Sequence, residues 1–417
     1  MMKAGSRRDS RLARFAPGPE PARAERRPRV LIAVNSDWFF LSHRLPIARA
    51  ARDAGADVVV LADDTGRGAD IEREGFTFIP LSLSRHGVNP LRELTTMLAW
   101  LRMYRQLRPD LVHHVTIKPV LYGSLAARAV PGVAVVNAVT GLGYVFSGYP
   151  LSRLLRPIVT ALYRLATRGP GRRTVFQNSD DRARFLAEGL AQEAHTVLIR
   201  GSGVDCSRFA PAPEPEGTPV VMLASRLLWD KGVGEFVEAA RLLRDSPPRA
   251  RFVIVGRPDD GNRTAVPVAQ LEAWVREGVV EWWGYRDDMP ATLRSATIFA
   301  LPSSYPEGVP KVLIEAAASA RPIVTTDVPG CREVVRTGVN GILVPPRDGA
   351  AVARATRTLL ESPELRRRYG EAGRAIALAE FTVESVVERT LEVYRALLGA
   401  RWTYMHGNGG SARAYAH

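Results

Sequence analysis

Short apolar runs alternate with helical patterns along almost the whole chain, and this alternation leaves few folds open. The first block of runs is Val30–Asn35, Val58–Ala62, Phe76–Leu81, Leu111–Thr116, Val133–Val139, Thr174–Gln177 and Val197–Ile199. The second is Val220–Ala224, Phe252–Gly256, Val279–Gly284, Ile298–Leu301, Ile323–Thr325 and Ile342–Val344. Strands separated by helices predict an α/β architecture of two doubly wound parallel sheets. A single core stops growing at about 250–300 residues, so a chain of 417 residues also favours two domains. A Pro-rich stretch, Ala210–Gly217, separates the blocks and reads as a linker. The expected division is a disordered basic arm over 1–28, a first domain over 29–205 and a linker over 206–219. A second domain follows over 220–380, then an amphipathic helix over 381–398 and a flexible tail over 399–417.

Charge separates the two domains. The formal net charge is +14. Residues 219–375 hold 22 Lys/Arg and 19 Asp/Glu, whereas residues 111–179 hold no acid at all and eight basic residues. The first domain is therefore expected to face something anionic. Leu151 to Arg168 reads as a helix. At 100° per residue Leu154, Leu155, Ile158, Leu162 and Leu165 share one face, and Arg153, Arg156, Arg164 and Arg168 cluster on the opposite one. Two readings stand for the arginines: a solvated face over the core, or a membrane-facing stripe against anionic headgroups or a lipid diphosphate. No apolar segment reads as a transmembrane span or a secretory signal. Cys206 and Cys331 are the only cysteines. With no cysteine cluster they argue for a reducing compartment and against a structural metal.

Two motifs carry the chemistry. The run Ile298–Leu301 is followed by a Pro/Gly loop and an Ala-rich helix starting near Pro310, with Glu307 and Glu315 separated by seven residues. A helix N-terminus after a tight loop offers free N–H groups and a favourable dipole to an anion. The glutamates themselves repel anions, so they suit hydroxyls beside a phosphate, which together suggest a sugar nucleotide. The second motif, Arg226-Leu227-Leu228-Trp229-Asp230-Lys231-Gly232, follows Val220–Ala224. Arg226 offers a planar fork to a phosphate and Lys231 a point charge. Both stand at the carboxyl end of a strand, where open α/β sheets bind ligands.

Glu-x7-Glu with Arg-x4-Lys-Gly, each after an expected strand, resembles the donor half of the retaining family 4 glycosyltransferases of GT-B fold. The resemblance runs from about Arg29 to Leu398. It implies two Rossmann-like domains facing across a cleft, an N-terminal acceptor-binding one and a C-terminal one that binds the nucleotide sugar. It also implies that the helix over 381–398 crosses back to the first domain. On the donor side it implies roles for Gly256, Gly284, Tyr285, Arg286, Gly308, Val309, Pro310 and Lys311, with Glu315 on the ribose. Glu307 would hold the donor sugar, and Arg226 and Lys231 would stabilise the leaving diphosphate. The linkage formed would be α, with no covalent protein nucleophile.

The first domain narrows the likeness. Asn35–Pro46, Thr116-Ile117-Lys118-Pro119 and Thr140-Gly141-Leu142-Gly143-Tyr144 resemble the branch that extends polyprenyl-diphosphate-linked sugars, including bacterial N-acetylgalactosaminyltransferases and capsule or O-antigen enzymes. Many of that branch carry His where Thr140 stands. On this likeness the acceptor side comprises His43, Arg44, Lys118, Thr140 and Gly141. Ser42 is the expected N-cap of a helix opened by His43 and Arg44. His43 reads equally as a packed side chain and Lys118 as a solvated one. Adjacent His113 and His114 on one strand point to opposite faces and cannot share a metal.

The expected partners are a nucleotide-sugar donor, UDP-linked before GDP-linked, a lipid-linked glycan acceptor and an anionic membrane surface, with no nucleic acid. No cofactor or metal is expected: no Asp-x-Asp occurs, and Asp259-Asp260 and Asp287-Asp288 read as helix caps or turns. The expected location is cytoplasmic, peripheral on the inner face of the cell membrane. The alternatives are a non-hydrolysing sugar-nucleotide epimerase on the same fold and a basic membrane- or nucleic-acid-binding scaffold without catalysis.

Overall fold

A computed structural model describes residues 26–81, 90–142, 150–259 and 261–402. The chain forms two compact units, one made of residues up to Ile199 together with those from Val387 onward, the other of Arg200–Val386.

The first unit holds seven strands: β1 (Arg29–Ala33), β2 (Asp57–Ala62), β3 (Thr77–Pro80), β4 (Leu111–Val115), β5 (Ala134–Val139), β6 (Arg172–Phe176) and β7 (Thr196–Leu198). Their order is β3-β2-β1-β4-β5-β6-β7, and every pairing is parallel. The second unit holds β8 (Val220–Ala224), β9 (Arg251–Val255), β10 (Glu281–Trp282), β11 (Ile298–Leu301), β12 (Ile323–Thr326) and β13 (Gly341–Val344). Their order is β10-β9-β8-β11-β12-β13, again all parallel. All thirteen expected strands exist and the α/β reading holds. The run Val279–Gly284 pairs only over Glu281–Trp282.

Both sheets reverse direction at the same place, between β1 and β4 in one unit and between β8 and β11 in the other. The sheet of the second unit is buried on both faces. Val221, Leu223, Phe236 and Ile254 pack on one face, and Met222, Phe299, Leu313 and Ile314 on the other. Cys206 and Cys331 are free, buried thiols. Cys206 and Phe209 lie in this unit's core, so the start of the expected linker is packed.

Three local expectations need correction. Ser42 does not cap a helix: the helix is Asp37–His43, its cap is Ser36, which accepts from Phe39 N, and His43 closes it. Ser42 Oγ instead donates to Trp38 O at 2.9 Å. Arg44 precedes the next helix, Leu45–Asp53, whose Pro46 stands in the first turn. The second concerns the helix Pro150–Thr167. Among its described side chains Thr160, Tyr163, Ala166 and Thr167 are buried, while Ile158 is 61% and Leu165 48% exposed. Of the stripe, Ile158 and Leu165 face outward, while Leu162 packs against the core. Tyr163 meets Phe185 edge to face, and Thr167 Oγ1 donates to Tyr163 O and Leu190 O, which fixes the other face inward. The third is at the C-terminus. Arg401 pairs with Asp110 at 2.6 Å and Trp402 is buried, so the expected tail is ordered at its start. Arg26, assigned to the arm, also pairs with Asp110. The rest of the arm, Gly143, Tyr144, Asp260 and the tail from residue 403 lie outside the described residues, as does the Arg153 side chain.

Candidate active site

The reversal between β8 and β11 places the two motif loops side by side, which is where open α/β sheets hold ligands. The loop after β8 carries Arg226 and Lys231, and Gly232 (φ +79) caps the helix Val233–Leu243. Only glycine fits there, since a Cβ would lie 2.1 Å from Pro302 O in the loop after β11. Ser304 N donates to Asp230 O at 2.9 Å and Ser303 Oγ donates to the same oxygen at 3.2 Å, which ties the loops together. The helix Lys311–Ala318 then starts at Pro310. Gly308 is pressed on its other side by Gly330, where a Cβ would lie 2.0 Å from Gly308 O.

Within this frame each candidate cation meets a carboxylate. Lys231, buried, is ion-paired with Glu307, and its Nζ lies 5.7 Å from the centre of the Tyr305 ring. Glu307 also accepts from Ser303 Oγ at 3.1 Å. Arg226 Nη1 donates to Asp259 Oδ2 at 2.6 Å. Lys311 Nζ stands 3.6 Å from the buried Glu315. Burial raises the Glu315 carboxyl above the usual range, with Lys311 opposing. Glu315 lies one turn into the helix Lys311–Ala318, four residues after Lys311. The group of residues therefore offers two cations and the N–H groups of a helix start to a diphosphate, with carboxylates for neighbouring hydroxyls.

The backbone after β9 and β10 completes this side. Gly256 (φ +135) donates its N–H to Gly284 O at 2.8 Å, and Trp282 Nε1 donates to Gly256 O at 2.9 Å. Tyr285 is half-exposed with the Arg257 guanidinium 5.1 Å over its ring, and Arg286 lies 5.7 Å from the Trp283 ring. An exposed aromatic ring with a cation on it can stack against a base. Of the acidic pairs, Asp288 caps the helix Met289–Arg294, but Asp259 holds Arg226.

The first unit places its candidates after β1 and β4. Arg44 is 3% exposed, and burial lowers its pKa to about 10. Its one side-chain hydrogen bond runs to His43 O at 3.1 Å, its Nε has no partner, and no carboxylate among the described residues pairs with it. His113 Nδ1 and Tyr394 Oη share a 2.6 Å hydrogen bond in the same buried layer, and desolvation with Arg44 nearby keeps His113 neutral. His114 is a core residue bonded to Tyr104 and Asn137, with its pKa lowered to about 3 by burial. His43 stacks on Phe39 at 4.3 Å. Thr116 takes φ +74, a left-handed conformation costly for a β-branched residue, and its Oγ1 is buried without a partner. Lys118 lies over the Tyr122 ring, and Gly141 needs its φ of +122. Along the Pro150–Thr167 helix Arg156 pairs with Glu188 at 2.7 Å, and Arg164 and Arg168 donate to the carbonyls of Glu188 and Gly189.

Asp259, Tyr305 and Gly330 were not among the sequence candidates. Tyr305 lies in the same loop as Glu307, and each of the three matters through a contact with a neighbouring loop.

Comparison with known proteins bears on family and fold. Residues 207–376 match the family described as glycosyl transferases group 1, and residues 29–168 match glycosyl transferase 4-like. The chain is 28% identical over 378 residues to the Campylobacter jejuni N,N'-diacetylbacillosaminyl-diphospho-undecaprenol alpha-1,3-N-acetylgalactosaminyltransferase, covering 85% of this chain and 97% of that protein. Among solved structures it resembles Anabaena HepE in complex with UDP-glucose, with a TM-score of 0.73, 20% identity, and 88% and 99% of the two chains covered. It also resembles the sucrose-phosphate synthase of Thermosynechococcus elongatus, with a TM-score of 0.75, 21% identity, and 90% and 100% covered.

Proposed function

We propose that this chain, which belongs to the group 1 and 4-like glycosyltransferases, transfers a sugar with retention from a nucleoside-diphosphate donor to a lipid-diphosphate-linked glycan. One observation carries the proposal: Arg226, Lys231, Glu307 and the start of the Lys311–Ala318 helix meet at the reversal point of the second sheet. Arg226, Lys231 and the helix N–H groups stabilise the leaving diphosphate as its charge grows. Lys231 exchanges Glu307 for phosphate oxygen, and the released Glu307 accepts from hydroxyls of the donor sugar. Glu315 accepts from the ribose, and Tyr285 with Arg286 lies beside the base. The leaving phosphate takes the proton of the acceptor hydroxyl as the new bond forms on the face it departs from.

The donor is a UDP-sugar carrying a hexose or N-acetylhexosamine. Two relatives support this: one is named for N-acetylgalactosamine transfer on a diphospho-undecaprenol sugar, another was solved with UDP-glucose. On the acceptor side Arg44, Lys118 and the strained Thr116 serve the acceptor diphosphate and its sugar, with His43 at the end of the helix Asp37–His43 and Thr140 and Gly141 after β5. The test is a panel of UDP- and GDP-sugars with a lipid-diphosphate-linked acceptor, in EDTA throughout, reading free nucleoside diphosphate. Turnover with at least one UDP-sugar is expected without added metal. Turnover that appears only on adding Mg²⁺ or Mn²⁺ overturns the metal-free reading, and no turnover with any donor overturns the transferase reading.

Attachment to the inner face of the cell membrane belongs to the same proposal. Among the described residues no helix is long and apolar enough to cross a membrane. The Pro150–Thr167 helix instead exposes Ile158 and Leu165, with exposed Arg164 and Arg168 nearby. Each basic residue near an anionic surface contributes about 1 kcal/mol, and apolar side chains between them add burial. The protein is expected to co-sediment with anionic liposomes at low salt and to leave them at high salt. Changing Arg153, Arg156, Arg164 and Arg168 to Glu should abolish sedimentation while donor binding persists. Unchanged sedimentation would reduce these arginines to caps for the neighbouring carbonyls.

A further inference from the structure

We infer that Asp259 is a built-in competitor for the diphosphate, holding Arg226 in the unliganded unit and yielding it when a nucleoside diphosphate binds. The inference rests on the reading of Arg226 as a diphosphate ligand. The Arg226 guanidinium is about half exposed, and its hydrogen bond to Asp259 Oδ2 is 2.6 Å long.

This carboxylate is held in place by its backbone. Leu227 N donates to Arg257 O at 3.1 Å, Val266 N to Leu227 O at 2.9 Å and Trp229 N to Thr264 O at 2.7 Å. The segment carrying Asp259 is thus pinned at both ends to the segment carrying Arg226. The turn between is closed by Asn262 N on Asp259 O at 2.9 Å, and Asn262 Oδ1 accepts from Thr264 N at 3.0 Å. A carboxylate on a pinned turn loses little conformational entropy in holding its partner, so the pair is preset.

Asp259 differs from the other carboxylates of the site. Glu307 and Glu315 have hydroxyls to bind once their lysines turn to phosphate. Asp259 Oδ2 instead lies 2.6 Å from Arg226 Nη1 and 3.5 Å from Asn262 Nδ2 on its own turn. Its effect is to weaken, equally, every ligand that takes Arg226. Such a weakening helps turnover, because the product nucleoside diphosphate keeps all the donor's phosphate contacts and would otherwise leave slowly.

The test measures equilibrium binding of UDP, GDP and uridine to the full chain and to four variants: D259N, R226A, the double variant D259N/R226A, and D245N. Asp245 is exposed and on the same unit, so D245N controls for net charge. D259N is expected to bind the tighter diphosphate roughly 3- to 10-fold more tightly, from freeing a half-exposed ion pair and removing a like charge. Its diphosphate should dissociate more slowly, and uridine binding should not change. The gain should vanish in the R226A background, and D245N should match wild type. If R226A weakens diphosphate binding but D259N binds no more tightly than wild type, the competitor role is overturned. If R226A binds diphosphate like wild type, the underlying reading of Arg226 fails and this inference falls with it. D259A serves as a second variant, and a fall in its diphosphate affinity would mark Asp259 as a positioning group instead.

Discussion

Lys231→Ala should lower kcat by roughly 10²–10³, the loss of on the order of 2–4 kcal/mol typical of one electrostatic contact to a developing charge. Lys231 is buried, ion-paired with Glu307 and packed against Tyr305, so no exposed lysine can take its place. Its removal also leaves Glu307 without its cation, next to where a diphosphate must sit. Both effects act on the same step. The check is steady-state kinetics at saturating donor, with a thermal melt to show that the fold survives. Wild-type kcat in a folded variant would take Lys231 out of the leaving-group site. Lys231→Arg is not expected to rescue, because a planar guanidinium fork does not reproduce the compact point charge of the ammonium.

Gly256→Ala should cost about 3 kcal/mol of stability or more. Its φ of +135 lies where L side chains are strained, and a Cβ would come within 1.9 Å of Ser225 O. Strain of about 1–3 kcal/mol then adds to overpacking of about 1–3 kcal/mol. The atom struck is backbone, so relief requires moving the loop that carries Arg226. Donor binding should fall together with stability. Gly284→Ala provides the contrast: φ is +67, but nothing lies within 4 Å of a Cβ. Only the left-handed penalty of about 1–2 kcal/mol applies. Urea unfolding of the two variants checks the difference, and equal losses would mean that the close approach to Ser225 carries no weight.

Much of the candidate site's arrangement is legible because its residues are close in sequence. Arg226 and Lys231 share one loop, and Glu307 and Glu315 share one loop and helix, so spacing alone brings each pair together. The acceptor side was less legible. In Asn35–Pro46, which follows the first strand, the sequence suggests a helix opened by His43 and Arg44 and capped at Ser42, whereas Ser36 is the cap. Both serines precede plausible helical residues, and only the place where the strand ends decides between them. Arg44 was named as a site residue, but nothing local announces that it is buried without a carboxylate partner.

The sequence by itself determined the thirteen strands, the parallel two-sheet class and the two donor motifs, since these follow from local apolar patterning and short spacing. Tertiary structure decided the rest. Strand order, which sets β8 against β11 and β1 against β4, depends on which crossovers the chain takes and leaves no mark in any one segment. The inward face of the Pro150–Thr167 helix was settled by Tyr163 and Thr167 finding partners, against a leucine stripe of greater local hydrophobicity. The Arg226–Asp259 pair joins residues whose carriers follow different strands. Local free energy fixes which elements form, but contacts between distant elements fix which side chains meet, and the chemistry lies in those meetings.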